Sequence, residues 1–207
     1  MTTTSDTAAR TAVEQATEAA ATSRVVDGVT LPAAGTYVLD PTHTRIGFVA
    51  RHLMVTKVRG SFREFEGSIT ISEEPGGSTA EATMQSASID TGTPDRDAHL
   101  VSGDFLEVEK YPTVRFANAR VASQKGAHFT VVGDLTIKDV TREVTLDVEL
   151  DGVAKDPWGN EKLAVTASTE IDREDFGMTW NVALETGGVL VSKKVRIEIE
   201  AQAARQS

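Results

Sequence analysis

The sequence predicts one all-β domain, an antiparallel barrel or sandwich of roughly eight or nine strands. The main observation is that apolar and polar residues alternate along several segments. One such segment carries on a single face Val144, Leu146, Val148 and Leu150. This pattern gives a strand one buried and one solvated face, which favours antiparallel over parallel sheet. Turn sequences separate the alternating segments at residues 74–77, 124–126, 156–160 and 187–188.

Strands are predicted along most of the chain after the first thirty-five residues. In order, they are residues 37–39, 45–51, 57–71, 79–89, 113–121, 128–137, 141–152, 163–171 and 193–201. The segment 57–71 cannot be straight, because Phe62 and Phe65 are an odd number of positions apart and Gly60 and Gly67 interrupt it. We expect a bulge or sharp bend that places both phenylalanine rings on the inner face.

Two segments break the alternation and predict one or two short helices. Pro94, followed by Asp95 and Asp97, is typical of the first turn of a helix, so residues 93–100 are predicted to be helical. Residues 51–54 are predicted to turn once, as a second short helix or a kink. Both segments connect strands, so they are expected at an end of the barrel.

The N-terminal residues 1–34 are rich in Thr and Ala and are predicted to be a flexible tail, while residues 35–203 form the barrel domain. Thr11 and Glu14 have the spacing of a helix capping box, and residues 13–21 favour helix. The alternative for this tail is a lid or a dimer contact. Charges recur too often in it for a secretory signal, and no window approaches the ~20 apolar residues of a membrane span. We therefore expect a cytoplasmic protein.

The overall composition excludes several classes of function. The chain has 31 acidic and 21 basic residues, a formal net charge of -10, and no basic cluster that would neutralise a nucleic-acid backbone. An anionic membrane surface would repel it, so no nucleic-acid partner and no integral membrane association are expected. The absence of cysteine excludes disulfides, thiolate metal sites and cysteine nucleophiles. No cofactor is predicted.

The residues that could carry chemistry form no specific motif. Asp97 and His99, with His43 or His52 from another segment, could hold a metal ion, but histidines with a structural role are commoner. Asp97 and His99 could instead act as a general acid and base. No nucleophile elbow and no phosphate-binding glycine loop is present.

An ordered set of segments resembles the YceI-like family. These segments are residues 40–48 (DPTHTRIGF), 51–54 (RHLM), 58–62 (VRGSF), 96–100 (RDAHL), 104–108 (DFLEV), 111–112 (YP), 133–141 (GDLTIKDVT) and 175–180 (DFGMTW). The resemblance covers about residues 35–201. It implies an extended antiparallel lipocalin-like β-barrel of about eight strands, with a long interior pore that binds polyisoprenoid or other long-chain lipids, and a homodimer. His52, Asp97 and His99 fall on its signature positions and are placed near the pore.

The predicted function is the binding and sequestration or transport of a long-chain apolar lipid, a polyisoprenoid, an isoprenoid quinone or a fatty acid or amide. Two Trp, two Tyr and seven Phe are few aromatic residues, which is compatible with an unfilled interior. The candidate ligand-binding residues are Phe48, His52, Leu53, Met54, Phe62, Arg96, Asp97, His99, Leu100, Phe105, Phe116, Leu135 and Trp180. The polar head is expected near Arg96, Asp97 and His99, and no catalytic residue is assigned.

Two other functions are compatible with the sequence. One is an enzyme acting on a lipid or quinone-like substrate, with Asp97 and His99 as its acid-base pair. The other is a structural dimer whose core is packed and holds no ligand. The first requires turnover that responds to those two residues, and the second requires a barrel without a cavity.

Overall fold

The computed structural model describes residues 24–26, 28–74, 76–185 and 187–206. This part of the chain forms thirteen strands, an α-helix and two 3-10 helices. The strands are β1 Arg24–Val26, β2 Val29–Leu31, β3 Gly35–Leu39, β4 Arg45–His52, β5 Thr56–Phe62, β6 Phe65–Ile71, β7 Thr79–Gln85, β8 Ile89–Asp90, β9 Thr113–Lys125, β10 His128–Ile137, β11 Val140–Lys155, β12 Glu161–Asp172 and β13 Lys194–Arg205. The helix α1 is Pro94–Val101, and the 3-10 helices are Ser86–Ser88 and Arg173–Phe176.

Eight strands close an antiparallel barrel in the order β3, β6, β7, β9, β10, β11, β12, β13. The closure depends on β13, which pairs with β12 along one edge and with β3 and β4 along the other. At that second edge, β4 pairs with residues 196–200 and β3 with residues 203–205, so β3 and β4 act as one bent strand. The predicted all-β antiparallel barrel of about eight strands is therefore confirmed.

The alternation of apolar and polar residues determines which side chains face the interior of the barrel. In β13, Val195, Ile197 and Ile199 line the lumen, whereas Arg196 and Glu198 between them form an ion pair on the other face with 3.3 Å between Nε and Oε1. Successive side chains of a strand point to opposite faces, so an apolar residue at every second position gives the barrel a continuous apolar inner wall.

The predicted bend between Phe62 and Phe65 is present, although no glycine makes it. Strand β5 ends at Phe62 and β6 begins at Phe65, and both rings pack against the same core cluster. Residues Arg63 and Glu64 turn the chain between them. Their backbone N–H groups donate to Ser88, to its carbonyl oxygen at 3.1 Å and to its hydroxyl at 3.0 Å.

Helix α1 confirms the first predicted helix. Residues 51–54 were expected to turn once, as a short helix or a kink, and the structure has a turn without a helix: β4 continues to His52 and a tight turn joins it to β5. Leu53 and Met54 in this turn have φ values of 52° and 60°. Left-handed backbone at two successive residues is typical of a turn between paired strands and incompatible with a right-handed helical turn.

A short hairpin and buried residues precede residue 35, within the segment that the sequence assigned to the tail. Strands β1 and β2 form a hairpin, and Leu31 and Ala33 after it are buried. Behind them, the Glu161 carboxylate accepts hydrogen bonds from the backbone N–H of Ala33 at 2.9 Å and from the hydroxyl of Tyr37. The helix suggested by Thr11 and Glu14 lies outside the described residues. No helix in the described ranges has the length and apolar character needed to span a membrane.

Candidate ligand-binding site

Two cavities follow one another along the inside of the barrel. The hairpin-side cavity has a volume of about 220 Å³ and is bounded at the β1–β2 end by Leu31 and Pro32. The helix-side cavity has a volume of about 190 Å³ and is bounded at the α1 end by Leu100 and Leu106. Together they fall within the roughly 300–1,000 Å³ that is usual for small-molecule sites.

The order of the cavities can be followed along single strands. In β10, Phe129 and Val131 line the hairpin-side cavity, and Leu135 and Ile137 line the helix-side cavity. The boundary between them is the waist, which we define by the four residues that line both cavities: Ile46, Ala82, Phe116 and Ile199. The two cavities are therefore neighbours along the barrel interior and share part of their walls, and together we call them the lumen.

The lumen is long enough for an extended chain. On β13, lining residues run from Val195 in the helix-side cavity to Ala201 in the hairpin-side cavity. At a rise of ~3.3 Å per residue, this stretch of strand spans roughly 20 Å. A narrow apolar space of that length suits a hydrocarbon chain better than a compact polar molecule.

The charged residues of the lining differ between the two cavities. Almost all of the wall is aliphatic or aromatic. Glu74 and Glu81 border the hairpin-side cavity, but both residues are exposed, and the Glu81 carboxylate pairs with Arg115, with 3.8 Å between Oε2 and Nη2. Among the described residues that border the helix-side cavity, Arg173 alone has a charged side chain. The basic residue of the described lining therefore lies at the α1 end of the lumen.

Arg173 is held by the 3-10 helix that follows β12. Its side chain is 2% exposed, and its Nε donates to the Ser192 carbonyl oxygen at 3.1 Å. Nη1 donates to the Met178 carbonyl oxygen, whereas Nη2 is buried without a hydrogen-bond partner. Burial lowers the pKa of the Arg173 guanidinium from its usual value. The ring of Phe105 lies over the guanidinium, with 5.9 Å between Cζ and the ring centre.

Six of the residues singled out from the sequence line the lumen: Phe48, Phe62, Leu100, Phe105, Phe116 and Leu135. Their rings and branched side chains come from four strands, helix α1 and the loop after it. Phe48 gains its place because Gly60 stands opposite it on β5, and a Cβ at Gly60 would collide with the Phe48 ring. Large rings can therefore enter the lumen where a neighbouring strand supplies glycine.

The polar residues expected at the head group border neither cavity, and Arg96 and Asp97 share a partner that His99 does not contact. Asp97 accepts hydrogen bonds from the backbone N–H and the hydroxyl of Thr91, and Arg96 donates to the Thr91 hydroxyl at 2.7 Å. These bonds fix the turn from β8 into α1. His99 instead pairs with Asp104, with 2.8 Å between Nε2 and Oδ2. The proposed Asp97–His99 acid-base pair is thus not formed as a hydrogen-bonded unit.

His99 is part of an aromatic cluster at the α1 end. Its ring meets Trp180 edge to face with centres 4.5 Å apart, and it meets Phe105 in the same way at 5.0 Å. Phe105 and Trp180 are 5.4 Å apart. Because Phe105 also lines the lumen, this cluster connects His99 and Trp180 to the wall of the helix-side cavity.

Three further candidates lie at the rim of the barrel. His52 ends β4 and bridges to Val191, and the Leu53 backbone N–H donates to the Leu190 carbonyl oxygen at 2.8 Å. Leu53 and Met54 are 44% and 50% exposed. The inward orientation expected of Met54 is therefore wrong, because the β4–β5 turn carries it past the end of the lumen.

Sequence reasoning missed Arg173 and the small residue Ala82 at the waist. The alternation in β12 contained the signal for Arg173, since Leu163, Val165 and Ile171 point inward and residue 173 has the same parity. Because its side chain is charged, residue 173 was not expected to line an apolar lumen. For the described stretches of the chain, no group of three His, Cys, Asp or Glu side chains is arranged to hold a metal ion.

A closed antiparallel barrel with an apolar lumen defines the protein as a lipocalin-like barrel with an internal cavity. Comparison with known proteins then gives its family. The chain belongs to the YceI-like family, because the YceI-like domain matches residues 37–203. A UPF0312 protein of Staphylococcus aureus (strain MSSA476) is 40% identical over 171 residues, which are 80% of this chain and 95% of that relative.

Solved structures share the fold. A Campylobacter jejuni YceI protein matches with a TM-score of 0.66 and 28% identity, over 76% of this chain and 90% of its own. A polyisoprenoid binding domain from Saccharophagus degradans, implicated in plant cell wall breakdown, matches with a TM-score of 0.61 over 84% of this chain and 99% of its own. With 13% identity, the second likeness concerns the fold alone.

Proposed function

We propose that this protein binds a long-chain apolar lipid, of the polyisoprenoid or fatty type, inside its barrel and thereby sequesters or carries it. The observation that carries the proposal is the elongated lumen, whose two cavities share the residues of the waist and have almost wholly apolar walls. Membership of the YceI-like family and the likeness to a domain described as polyisoprenoid binding support it.

The energetics favour a long chain over a short one. Removing hydrocarbon from water contributes ~0.8 kcal/mol for each methylene that is buried. A wall with few hydrogen-bonding groups adds little selectivity along the chain, so affinity grows with chain length until the lumen is filled. Specificity then comes from total length and from the few polar groups at the two ends.

A chain-length series tests this function. Delipidated protein is loaded with a fluorescent fatty probe, which is then displaced by decanol, hexadecanol and docosanol and by isoprenoid alcohols of increasing length. We expect displacement to strengthen with length and then to level off when the chain exceeds the lumen. Displacement that is independent of length, or a probe that never binds to the folded protein, would contradict the proposal.

Two further predictions from the sequence accompany this function, namely a cytoplasmic location and a homodimer. A cytoplasmic carrier would take up and release its lipid in the cytoplasm, and a homodimer would contain two lumens. Size-exclusion chromatography with light scattering tests the dimer, and fractionation of cells tests the location. A monomeric mass across the micromolar range would overturn the homodimer, and recovery outside the cytoplasm would overturn the location. Neither result would bear on lipid binding, which the displacement series tests.

A further inference from the structure

We infer that Arg173 is the head-group recognition residue of the lumen and that the bound lipid ends in an oxyanion, a carboxylate or a phosphate. This inference rests on the proposed function, because it needs a ligand whose chain occupies the barrel. It adds the chemical class of the head group and the direction in which the chain lies. Neither the apolar walls nor the fold alone specifies these two properties.

The first argument is the incomplete pairing of a buried cation. Buried charges in proteins are normally paired and fully hydrogen-bonded, because an unsatisfied buried donor is costly. Arg173 has two backbone carbonyl oxygens as acceptors, and its Nη2 has none. A guanidinium presents its donors as a planar fork that matches an oxyanion. An anionic head group would supply both the missing acceptor and the missing charge.

The second argument is that neighbouring carboxylates are occupied elsewhere. Glu174 binds Lys193, with 2.7 Å between Oε2 and Nζ, and Asp172 accepts the Glu174 backbone N–H at 3.0 Å. Within the described stretches, no carboxylate of the protein forms an ion pair with Arg173. The charges of Glu174 and Asp172 stabilise the guanidinium from a distance, but they offset its burial only in part, because the pKa of Arg173 remains lowered. An anionic ligand would complete the compensation.

The third argument is the position of the cation along the lumen. Among the described residues, none with a basic side chain borders the hairpin-side cavity, so an anion at that end would lack a cationic partner. An anion at the α1 end would meet Arg173. The head group therefore lies at the α1 end and the chain runs through the waist towards Leu31 and Pro32.

Phe105 is the group that the head must displace. Its ring lies over the Arg173 guanidinium and also borders the lumen. A shift of this ring towards His99 and Trp180, which it already contacts, would open Nη2 to the lumen. Binding of an anionic lipid is thus expected to change the environment of Trp180, whereas a neutral chain leaves the Phe105 ring in place.

The test compares ligands that share one chain and differ at the head. Hexadecanoate, hexadecyl phosphate, hexadecanol and hexadecane are titrated into delipidated wild-type protein, Arg173→Met and the matched control Arg196→Met, which removes an exposed arginine of β13. Tryptophan emission and native mass spectrometry report binding. Wild type and Arg196→Met are expected to prefer an anionic head over the alcohol by roughly tenfold or more, as for charge-assisted hydrogen bonds. Arg173→Met is expected to lose this preference while it still binds the alcohol.

The outcomes separate the inference from the proposed function. Equal binding of the anions and the alcohol by wild type would overturn the role of Arg173 and leave the apolar lumen intact. Binding of none of the four ligands would overturn the proposed function itself. The two anions distinguish a carboxylate from a phosphate head. Should Arg173→Met not fold, Arg173→Lys keeps the charge without the fork, and an undiminished anion preference in it would contradict fork recognition.

Discussion

The ring of Phe116 lies so close to Gly133 that a Cβ atom on the glycine would meet the ring Cζ at 2.5 Å. Gly133 is in β10 and Phe116 in the neighbouring β9, at a place where the register of the two strands shifts. The absent side chain is what gives the ring its position at the waist of the lumen. The width of the waist therefore depends on a glycine outside the predicted set of binding residues.

Gly133→Ala is expected to destabilise the protein because the new methyl group must displace the Phe116 ring. Overpacking of this kind costs ~1–3 kcal/mol. Gly152→Ala is the matched control, since a Cβ there meets nothing within 4 Å. Urea denaturation of the two variants measures the difference, and equal stabilities would show that the ring moves freely.

Ala82→Trp is expected to close the waist. Ala82 borders both cavities, and an indole at this position fills the space through which a chain would pass. We expect the variant to bind decanol as wild type does and to lose the gain in affinity on going to docosanol. Thr83→Trp, next to it on β7 and absent from both linings, is the control. An unchanged length dependence in Ala82→Trp would contradict a continuous lumen.

The buried phenol of Tyr37 predicts a loss of stability in alkali. Burial, and then the hydrogen bond to Glu161, raise the pKa of Tyr37 above its ordinary value of 10.0. Above that pH the unfolded chain loses the phenolic proton while the folded protein retains it, so the free energy of unfolding falls as pH rises. Tyr37→Phe is expected to be ~1 kcal/mol less stable near neutral pH, from the lost hydrogen bond, and to lack this alkaline decline.

Urea denaturation of wild type and Tyr37→Phe from about pH 8 to about pH 11 checks this expectation. Parallel curves for the two proteins over the whole range would show that the Tyr37 phenol does not couple folding to proton binding.

The carboxyl group of Asp40 predicts a loss of stability in acid, as the pH falls. Hydrogen bonds from Thr42, then from His43, hold the pKa of the Asp40 carboxyl well below its ordinary value of 3.8. Its contribution to stability is present above that pH and is lost as the pH falls through the lower folded value. Asp40→Asn is expected to be less stable than wild type near neutral pH, and the difference is expected to shrink below about pH 4. A difference in stability that stays constant with pH would contradict this account.

Local periodicity was enough to predict most strands of the barrel and the antiparallel class, whereas α1 was predicted from Pro94 and the acidic residues after it. The closure of the barrel was not accessible in the same way, because it depends on β13 meeting β12, β3 and β4, which are far apart in sequence. Among the candidate residues, apolar ones at inward positions, such as Phe48 and Leu135, reach the lumen. Polar ones, such as Asp97, have local hydrogen-bond partners that no periodicity reveals.

The error at Met54 and the omission of Arg173 have different physical causes. Met54 was expected to face inward as a large apolar residue, but the left-handed turn after His52 directs it past the rim. Arg173 continues the inward parity of β12, and its charge argued against an interior position. A buried cation is tolerated there because two backbone carbonyl groups accept its hydrogen bonds.

Native mass spectrometry of the purified protein, before and after loading with a long isoprenoid alcohol, tests the central claim most directly. We predict one lipid per chain, carried through the gas phase by the folded protein and released when it is denatured, with hexadecanol taken up more weakly. A protein that stays folded and retains the mass of the bare chain, or of its bare dimer, at saturating concentrations of every chain length would contradict lipid binding in the lumen.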